Sequence, residues 1–484
     1  MNKPLRRVAL VVMAMVVLLM GNATYIQVIE AKSLHDNPKN KRTTYEEYAK
    51  PRGQIIAGGQ SLANSVPTSD TNLKYLRTFP KGPAFAPLTG YYSHVYGSNG
   101  IEQAQNGVLN GTDDSMKFGQ LSDIITGKGQ QGGNVELTIN PAMQQTAYDE
   151  LTKKGYTGSV VALEPSTGKI LAMANAPSFD PNQLASHHTT DAMQAWRQLQ
   201  DAPGNPMMNR AVSSVYPPGS SFKLITDAAA LQNGYNPQSK VTDAPRITLP
   251  GSSTTLPNFG NKTCAGDTLT EALAHSCNTA FAEVAGKVGA DKMRQTAEAF
   301  GIGQDLNVPM PVAKSSTGPM SDPASLFQSG IGQRDVRVTP LQNAMVAAGI
   351  ANDGKLMKPQ LVDRTETANK STVDEFQPQQ LNQAVPPEVA HQIRDMMLQS
   401  EKFTTSEGKI QGVPIASKTG TAQHGDAQDH PHGWYVAFAP AEHPQIAVAV
   451  IVEDGGDMGA DATGGKIASP IGRSVIRAGM QGGG

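Results

Sequence analysis

Tyr216-Pro217-Pro218-Gly219-Ser220-Ser221-Phe222-Lys223-Leu224 is the stretch on which the reading of this chain turns. Two prolines and a glycine cannot continue a helix, so they form a turn that leads into one. Ser220 then sits at the new helix N-terminus, where free backbone N–H groups and the positive end of the helix dipole favour a developing oxyanion. Lys223 follows one turn along, on the same face. A serine hydroxyl is a weak nucleophile until a base lies within hydrogen-bond reach. A lysine serves as that base when burial or another cation lowers its proton affinity. Alone, Ser-x-x-Lys also fits a capping serine beside an unrelated surface lysine, because so short a pattern arises by chance about once or twice in a chain of this size.

Outward from it, Glu271 to Ala280 reads as a helix end, a junction and a new helix start. An extended junction points Ser276 and Asn278 one way and Cys277 the other, towards Cys264 behind the site. In an oxidising compartment this even pair suits a disulfide; two buried free thiols suit the sequence equally, and the choice stays open. Ser276 can relay a proton, and Asn278 can hold a substrate amide while contacting Lys223. Further on, Ser417-Lys418-Thr419-Gly420-Thr421-Ala422-Gln423 falls between two apolar runs and is expected on a sheet strand. There Lys418 and Thr419 would clamp a substrate carboxylate, and Gly420 would let substrate lie against the backbone. The N–H groups of Thr421 and Ser220 would form an oxyanion hole. Taken singly, a capping Ser-x-Asn and an edge-strand lysine beside a strand glycine are the plainer readings.

The remaining sequence places these segments. The chain of 484 residues exceeds one small core and implies two or three units. A net charge of −2 and an aromatic share of 5 % argue against a nucleic-acid partner. Lys3, Arg6 and Arg7 precede an apolar run from Val8 to Met20, which resumes after a polar break at Gly21-Asn22 through Tyr25, Ile26 and Ile29. That length spans a bilayer. The basic flank predicts a cytoplasmic N-terminus with the bulk of the chain outside. With no small-x-small cleavage site after it, an uncleaved anchor is favoured over a signal peptide.

Residues 32–134 read as a small, mostly extended module, with short alternations such as Gln54-Ile55-Ile56-Ala57 and a flexible linker at Thr126–Gly133. Residues 135–480 differ in texture. Val135–Ile139 alternates as a strand, and Asn140-Pro141 opens a helix. Gly158–Leu163 and Lys169–Ala174 flank a tight turn, and Trp434–Phe438 and Ile446–Val452 form another strand pair. Between them lie helical stretches, including Leu269–Ala274, Ala280–Val288 and Pro340–Ala351. Strands at both ends with helices between predict one sheet built from distant segments, with a helical part inserted. His424, His430 and His432 read as a polar loop beside the cleft rather than a metal site. Asp454 to Asp461 reads as a solvated loop rather than a calcium site. No Cys/His spacing suggests zinc, and no cofactor is expected.

In this order, Ser-x-x-Lys, Ser-x-Asn and Lys-Thr-Gly are the signature of penicillin-binding proteins and serine β-lactamases. The chain resembles the class B, monofunctional penicillin-binding proteins, and is similar to the actinobacterial penicillin-binding protein A group. Asn209-Arg210-Ala211, Gly330-Ile331-Gly332-Gln333 and Val338-Thr339-Pro340-Leu341-Gln342 extend the resemblance, and Pro51-Arg52-Gly53 and Gly100-Ile101-Glu102 look like the family's non-catalytic domain. Ser221 and Glu164 stand where Thr and Asp are common in relatives.

The resemblance implies an α+β fold: a transpeptidase domain with a central antiparallel sheet and a helical subdomain, a mostly β N-terminal module at 32–134, and a membrane anchor within 1–31. It implies that Ser220 attacks the D-Ala-D-Ala bond of a peptidoglycan stem peptide while Lys223 accepts its proton, that a neighbouring amine resolves the acyl-enzyme, and that β-lactams acylate Ser220. It also implies a lipid-linked glycan polymerase as membrane partner and leans to a role in division. The alternatives are a D,D-carboxypeptidase or β-lactamase, which deacylate with water, a non-catalytic β-lactam receptor, which needs an output domain, and a non-catalytic scaffold, which predicts loss of a motif residue.

Overall fold

The computed structural model describes residues 3–30, 33–34, 41–116, 131–424 and 429–481. The first helix, α1 (Lys3–Thr24), continues as a wider turn over Tyr25–Ile29. It does not break at Gly21-Asn22. A glycine costs a helix only about 1 kcal/mol, which the long apolar run on its N-terminal side outweighs. Among the described residues this is one helix long and apolar enough to cross a membrane, and none of its apolar window is buried.

The N-terminal module begins a sheet with β1 (Ile55–Ala57), β2 (Gln60–Pro67) and β3 (Tyr75–Thr78), which is completed by β4 (Asn134–Leu137) at the boundary and by two strands from far down the chain, β7 (Val362–Glu366) and β8 (Thr372–Glu375). The order is β3-β2-β1-β4-β7-β8. β1 and β4 run parallel and the other neighbours antiparallel. The Thr126–Gly133 run lies outside the described residues as far as Gln130. Its end is packed rather than loose: the Gly132 and Gly133 N–H groups donate to Pro51 O and Val108 O. A Cβ on either glycine would strike a neighbouring residue.

The second sheet joins β5 (Gly158–Leu163), β6 (Ile170–Ala176), β9 (Ala416–Ala422), β10 (His432–Ala439) and β11 (Ile446–Val452) in the antiparallel order β9-β10-β11-β5-β6. This unites the strands read at the two ends of the catalytic stretch. Every residue of β5, β10 and β11 is buried, because helices cover both faces. On one face, α2 (Pro141–Thr152) and α9 (Ser469–Gln481) bring Met143, Leu151, Ile471 and Val475 into one cluster with the sheet. As read, Asn140 caps α2, its side chain accepting from the N–H groups of Ala142 and Met143; such a cap stabilises by about 1 kcal/mol. The other face packs against α7 (Pro340–Ala351), which is apolar almost all round and buried along nearly its whole length.

The helical part comprises α3 (Lys223–Leu231), α4 (Leu269–Ala274), α5 (Asn278–Val288), α6 (Ala290–Ala299) and α8 (Pro387–Lys402). All nine residues of α3 are buried, with α5, α6 and α8 packed against it. The α-helix begins at Lys223 and not at Ser220; Gly219–Phe222 form a tighter 3₁₀ turn ahead of it.

Candidate active site

Ser220 stands half-buried on that turn, and three parts of the molecule hold the turn in place. The Gly219 N–H donates to Gly332 O at 2.9 Å. Gly332 has φ +70°, and a Cβ there would lie 2.1 Å from Gly219 O, so only glycine fits. Tyr216 and Val338 exchange both backbone hydrogen bonds at 2.9 Å. Trp434 on β10 donates its indole N–H to Pro217 O at 3.0 Å. Gly420 on β9 lies so close that a Cβ would sit 2.9 Å from Pro218 O. The Gly330–Gln333 and Val338–Gln342 stretches therefore act as props for the serine turn. Ser221 is satisfied locally, donating to Pro218 O (2.9 Å) and accepting from Asn343 Nδ2 (3.0 Å).

Lys223 is fully buried. Its Nζ donates to Ser276 O at 2.7 Å and to Asn278 Oδ1 at 2.8 Å, and lies 3.3 Å from Ser276 Oγ. Lys418, 1 % exposed on β9, donates to the same Ser276 Oγ and to Thr419 O, both at 2.9 Å. One hydroxyl thus bridges two buried lysines. Burial, and then the Lys418 charge, hold Lys223 well below the ordinary lysine range against the opposing pull of Asp227. Burial pushes Lys418 down to about 7, again with Asp227 opposing. A neutral lysine amine has two N–H groups, which Ser276 O and Asn278 Oδ1 can take, and a lone pair left to accept a proton.

The Ser276–Asn278 junction is extended only at Cys277. Ser276 is left-handed at φ +58°, and Asn278 is already the first residue of α5. Both side chains still reach Lys223, while Cys277 turns back to form a disulfide with Cys264. Thr419 and Thr421 are partly exposed on β9, the edge strand of the sheet. Thr419 opens onto a pocket lined by Phe403, Thr404, Thr463, Gly465 and Lys466, none of which the sequence reading singled out. Asp227 was also missed; its signal was a lone acid inside the apolar run Leu224–Leu231.

Behind Tyr216, Glu453 accepts from the Tyr216 hydroxyl (2.6 Å) and from Arg210 Nε (3.0 Å). The next residue, Asp454, donates its N–H to His432 Nδ1 at 3.1 Å. His424 Nε2 lies 2.9 Å from Asp454 Oδ1, and the His424 and His432 rings stack at 3.7 Å. These three residues offer ligand atoms within 4.8 Å of one another. However, parallel rings aim their lone pairs side by side rather than at one point, and hydrogen bonds already engage His424 Nε2, which faces His430 O at 2.8 Å, and His432 Nδ1. The set is a clasp tying the ends of β9, β10 and β11.

Residues 158–477 match the penicillin binding protein transpeptidase domain, and residues 52–135 the penicillin binding protein A dimerisation domain. The peptidoglycan D,D-transpeptidase PbpA of Mycolicibacterium smegmatis is 51 % identical over 99 % of both chains. That of Mycobacterium tuberculosis is 47 % identical over the full length of both. Among solved structures, the ceftriaxone acyl-enzyme complex of penicillin-binding protein A from M. tuberculosis superposes with a TM-score of 0.88. It covers 90 % of this chain and 99 % of its own at 46 % identity. A D,D-transpeptidase domain from Eggerthella lenta gives 0.76 at 30 % identity, over 89 % of this chain and 98 % of its own. A serine turn and two bridged lysines on such a sheet, in a chain matched end to end by these relatives, leave one assignment: this chain belongs to the penicillin-binding protein transpeptidase family.

Proposed function

We propose that the protein is a peptidoglycan D,D-transpeptidase that cross-links stem peptides through a Ser220 acyl-enzyme and is acylated there by β-lactams. The observation that carries this is the Ser276 hydroxyl shared by two buried lysines, one of them a helical turn beyond Ser220. Lys223, neutral and hydrogen-bonded by its N–H groups, takes the proton as Ser220 Oγ attacks the carbonyl of the penultimate D-Ala. The N–H groups of Ser220 and Thr421 bind the oxyanion. Lys418 and Thr419 hold the terminal carboxylate, Gly420 admits the peptide beside β9, and Asn278 orients its amide. Ser276 passes the proton on to the departing D-Ala amine as the C–N bond breaks. A neighbouring stem-peptide amine then attacks the ester, restores the Ser220 hydroxyl and leaves a new amide bond. In a β-lactam the broken amide stays tethered within the acyl group.

We assign residues 1–31 to a cytoplasmic stub and single-pass anchor, 32–134 to the non-catalytic module and 135–480 to the transpeptidase domain. The catalytic part faces away from the cytoplasm, beside a lipid-linked glycan polymerase, in cell-wall synthesis during division. Support comes from the N-terminal apolar helix behind three basic residues and from the two family matches. The test is intact mass of the full-length protein after exposure to benzylpenicillin, beside Ser220→Ala. One drug mass added to the wild type alone is expected. Intact drug with no adduct would sink the assignment. Consumed drug with no adduct would mean fast hydrolysis and a β-lactamase.

A further inference from the structure

Asp227 has no part in the chemistry above, yet its placement is costly. It lies one helical turn beyond Lys223 on α3, a spacing that puts both side chains on one face. The side chain is completely buried, and neither carboxylate oxygen has a hydrogen-bond partner among the described residues. A buried carboxylate without donors is among the least favourable groups in a protein core. Burial pushes its carboxyl well above the usual carboxylate range, and the charges that pull it back towards the ionised form are Lys418 on β9 and then Lys223 on its own helix. The helices packed against α3 also carry charged residues, among them Glu283 and Lys287 on α5, Arg294 on α6, and Arg394 and Glu401 on α8, but the charges that move Asp227 most are those of the two lysines. Among the described residues the acid is therefore pulled chiefly by the two active-site lysines, with no hydrogen bond or ion pair to either.

We propose that Asp227 is a positioning residue, the buried counter-charge that sets how many protons the Lys223–Lys418 pair holds. This rests on the roles given to the two lysines above. Without a counter-charge, two ammonium groups sharing one hydroxyl repel each other in a medium of low dielectric. When Ser220 passes its proton to Lys223, that second positive charge forms beside Lys418, and Asp227 answers it. A carboxylate in contact would trap the proton on a lysine; one held a helical turn away biases the pair without quenching the base.

The sign of the effect follows. A negative charge raises the proton affinity of both lysines, so its removal lowers both. The acid limb of the acylation profile, where Lys223 must be neutral, then moves to lower pH. The alkaline limb, where Lys418 must be charged, moves the same way.

The experiment is the second-order rate of acylation by benzylpenicillin against pH, for full-length wild type, Asp227→Asn and Asp227→Ala, with thermal stability measured alongside. Both limbs are expected to shift to lower pH by about one unit or more in each variant. A change in height with limbs superimposed on wild type would overturn the proposal, as that is all a packing role produces. An Asn variant that does not fold would also overturn it: an amide of equal volume can replace a carboxyl that makes no hydrogen bond, so failure would assign the acid to the core. A wild type that never acylates would instead sink the transpeptidase reading, whatever Asp227 does.

Discussion

Two clusters of buried charge sit in this molecule, and they are built on opposite terms. In the N-terminal module Glu102, fully buried, takes Arg52 Nε and Arg77 Nε on its two oxygens at 2.6 Å each. Arg52 also donates to Asn106 Oδ1 at 2.7 Å and to Glu102 O at 2.5 Å, and Arg77 to Gly53 O at 2.7 Å. In the active site Lys223, Lys418 and Asp227 are as deeply buried, but the acid touches neither lysine and the lysines share a hydroxyl. Closely paired charges hold their protons and make structure; loosely paired ones can exchange protons and make chemistry.

The largest break in that comparison is expected at Lys223. Lys223→Met removes the base and should lower the benzylpenicillin acylation rate by about 10³-fold or more. The same change relieves the burial of an amine but also takes a donor from Ser276 O and Asn278 Oδ1, so unfolding free energy should change by no more than about 1 kcal/mol. Loss of stability together with activity would show that Lys223 belongs with the structural kind of charge. The mirror experiment is Glu102→Ala, which strands two buried guanidinium groups. It should cost about 3–5 kcal/mol in unfolding free energy while leaving the acylation rate of the folded fraction unchanged. An activity loss beyond the unfolded fraction would mean that the two clusters communicate.

A smaller effect is expected at Cys264–Cys277, which backs the Ser276–Asn278 junction. Its sequence separation of 13 corresponds to about 3 kcal/mol in the chain-entropy description. Replacing both cysteines with alanine should lower stability by about that amount or less, with a several-fold fall in acylation if the loop drifts from Lys223. Unchanged stability would place the constraint elsewhere, in the Thr268 capping box of α4.

What could be read from the sequence was what lies close in it. Ser220 and Lys223 share a face because of helix spacing, and Asn140 caps α2 because of its side chain. The Ile446–Val452 strand was legible as a short unbroken apolar run bounded by polar residues. Contacts between distant segments were not legible. Nothing local in Arg364 announces that it pairs with Glu136 across two strands of a sheet begun in the other module. Gly332 is an ordinary loop glycine until Gly219 O is brought against it. The left-handed Ser276 was read as extended because a single positive φ leaves no mark on residue choice unless glycine or asparagine fills it. Asp227 read as an interruption of an apolar helix, since only the fold shows that two cations lie across from it.

The finest test concerns pH, because the two kinds of buried charge must respond to it differently. In the unfolded chain Lys418 titrates near 10.5, and in the folded protein at about 7. Between these values the unfolded state holds a proton that the folded state lacks. The destabilisation due to Lys418 is therefore fully present below pH 7 and fades as pH rises towards 10, at up to about 1.4 kcal/mol per unit. Glu102 and its arginines are instead a closed ion-pair set, with one guanidinium on each carboxylate oxygen. Wild type should thus gain stability on a Lys418→Met variant as pH rises from 7 to 9, whereas Glu102→Ala should run parallel to wild type. Parallel curves for Lys418→Met would mean that Lys418 keeps its proton in the folded protein. The same titration bears on function: a carboxylate-bearing penicillin should acylate more slowly as pH climbs past about 7, because the cation that receives its carboxylate is being lost.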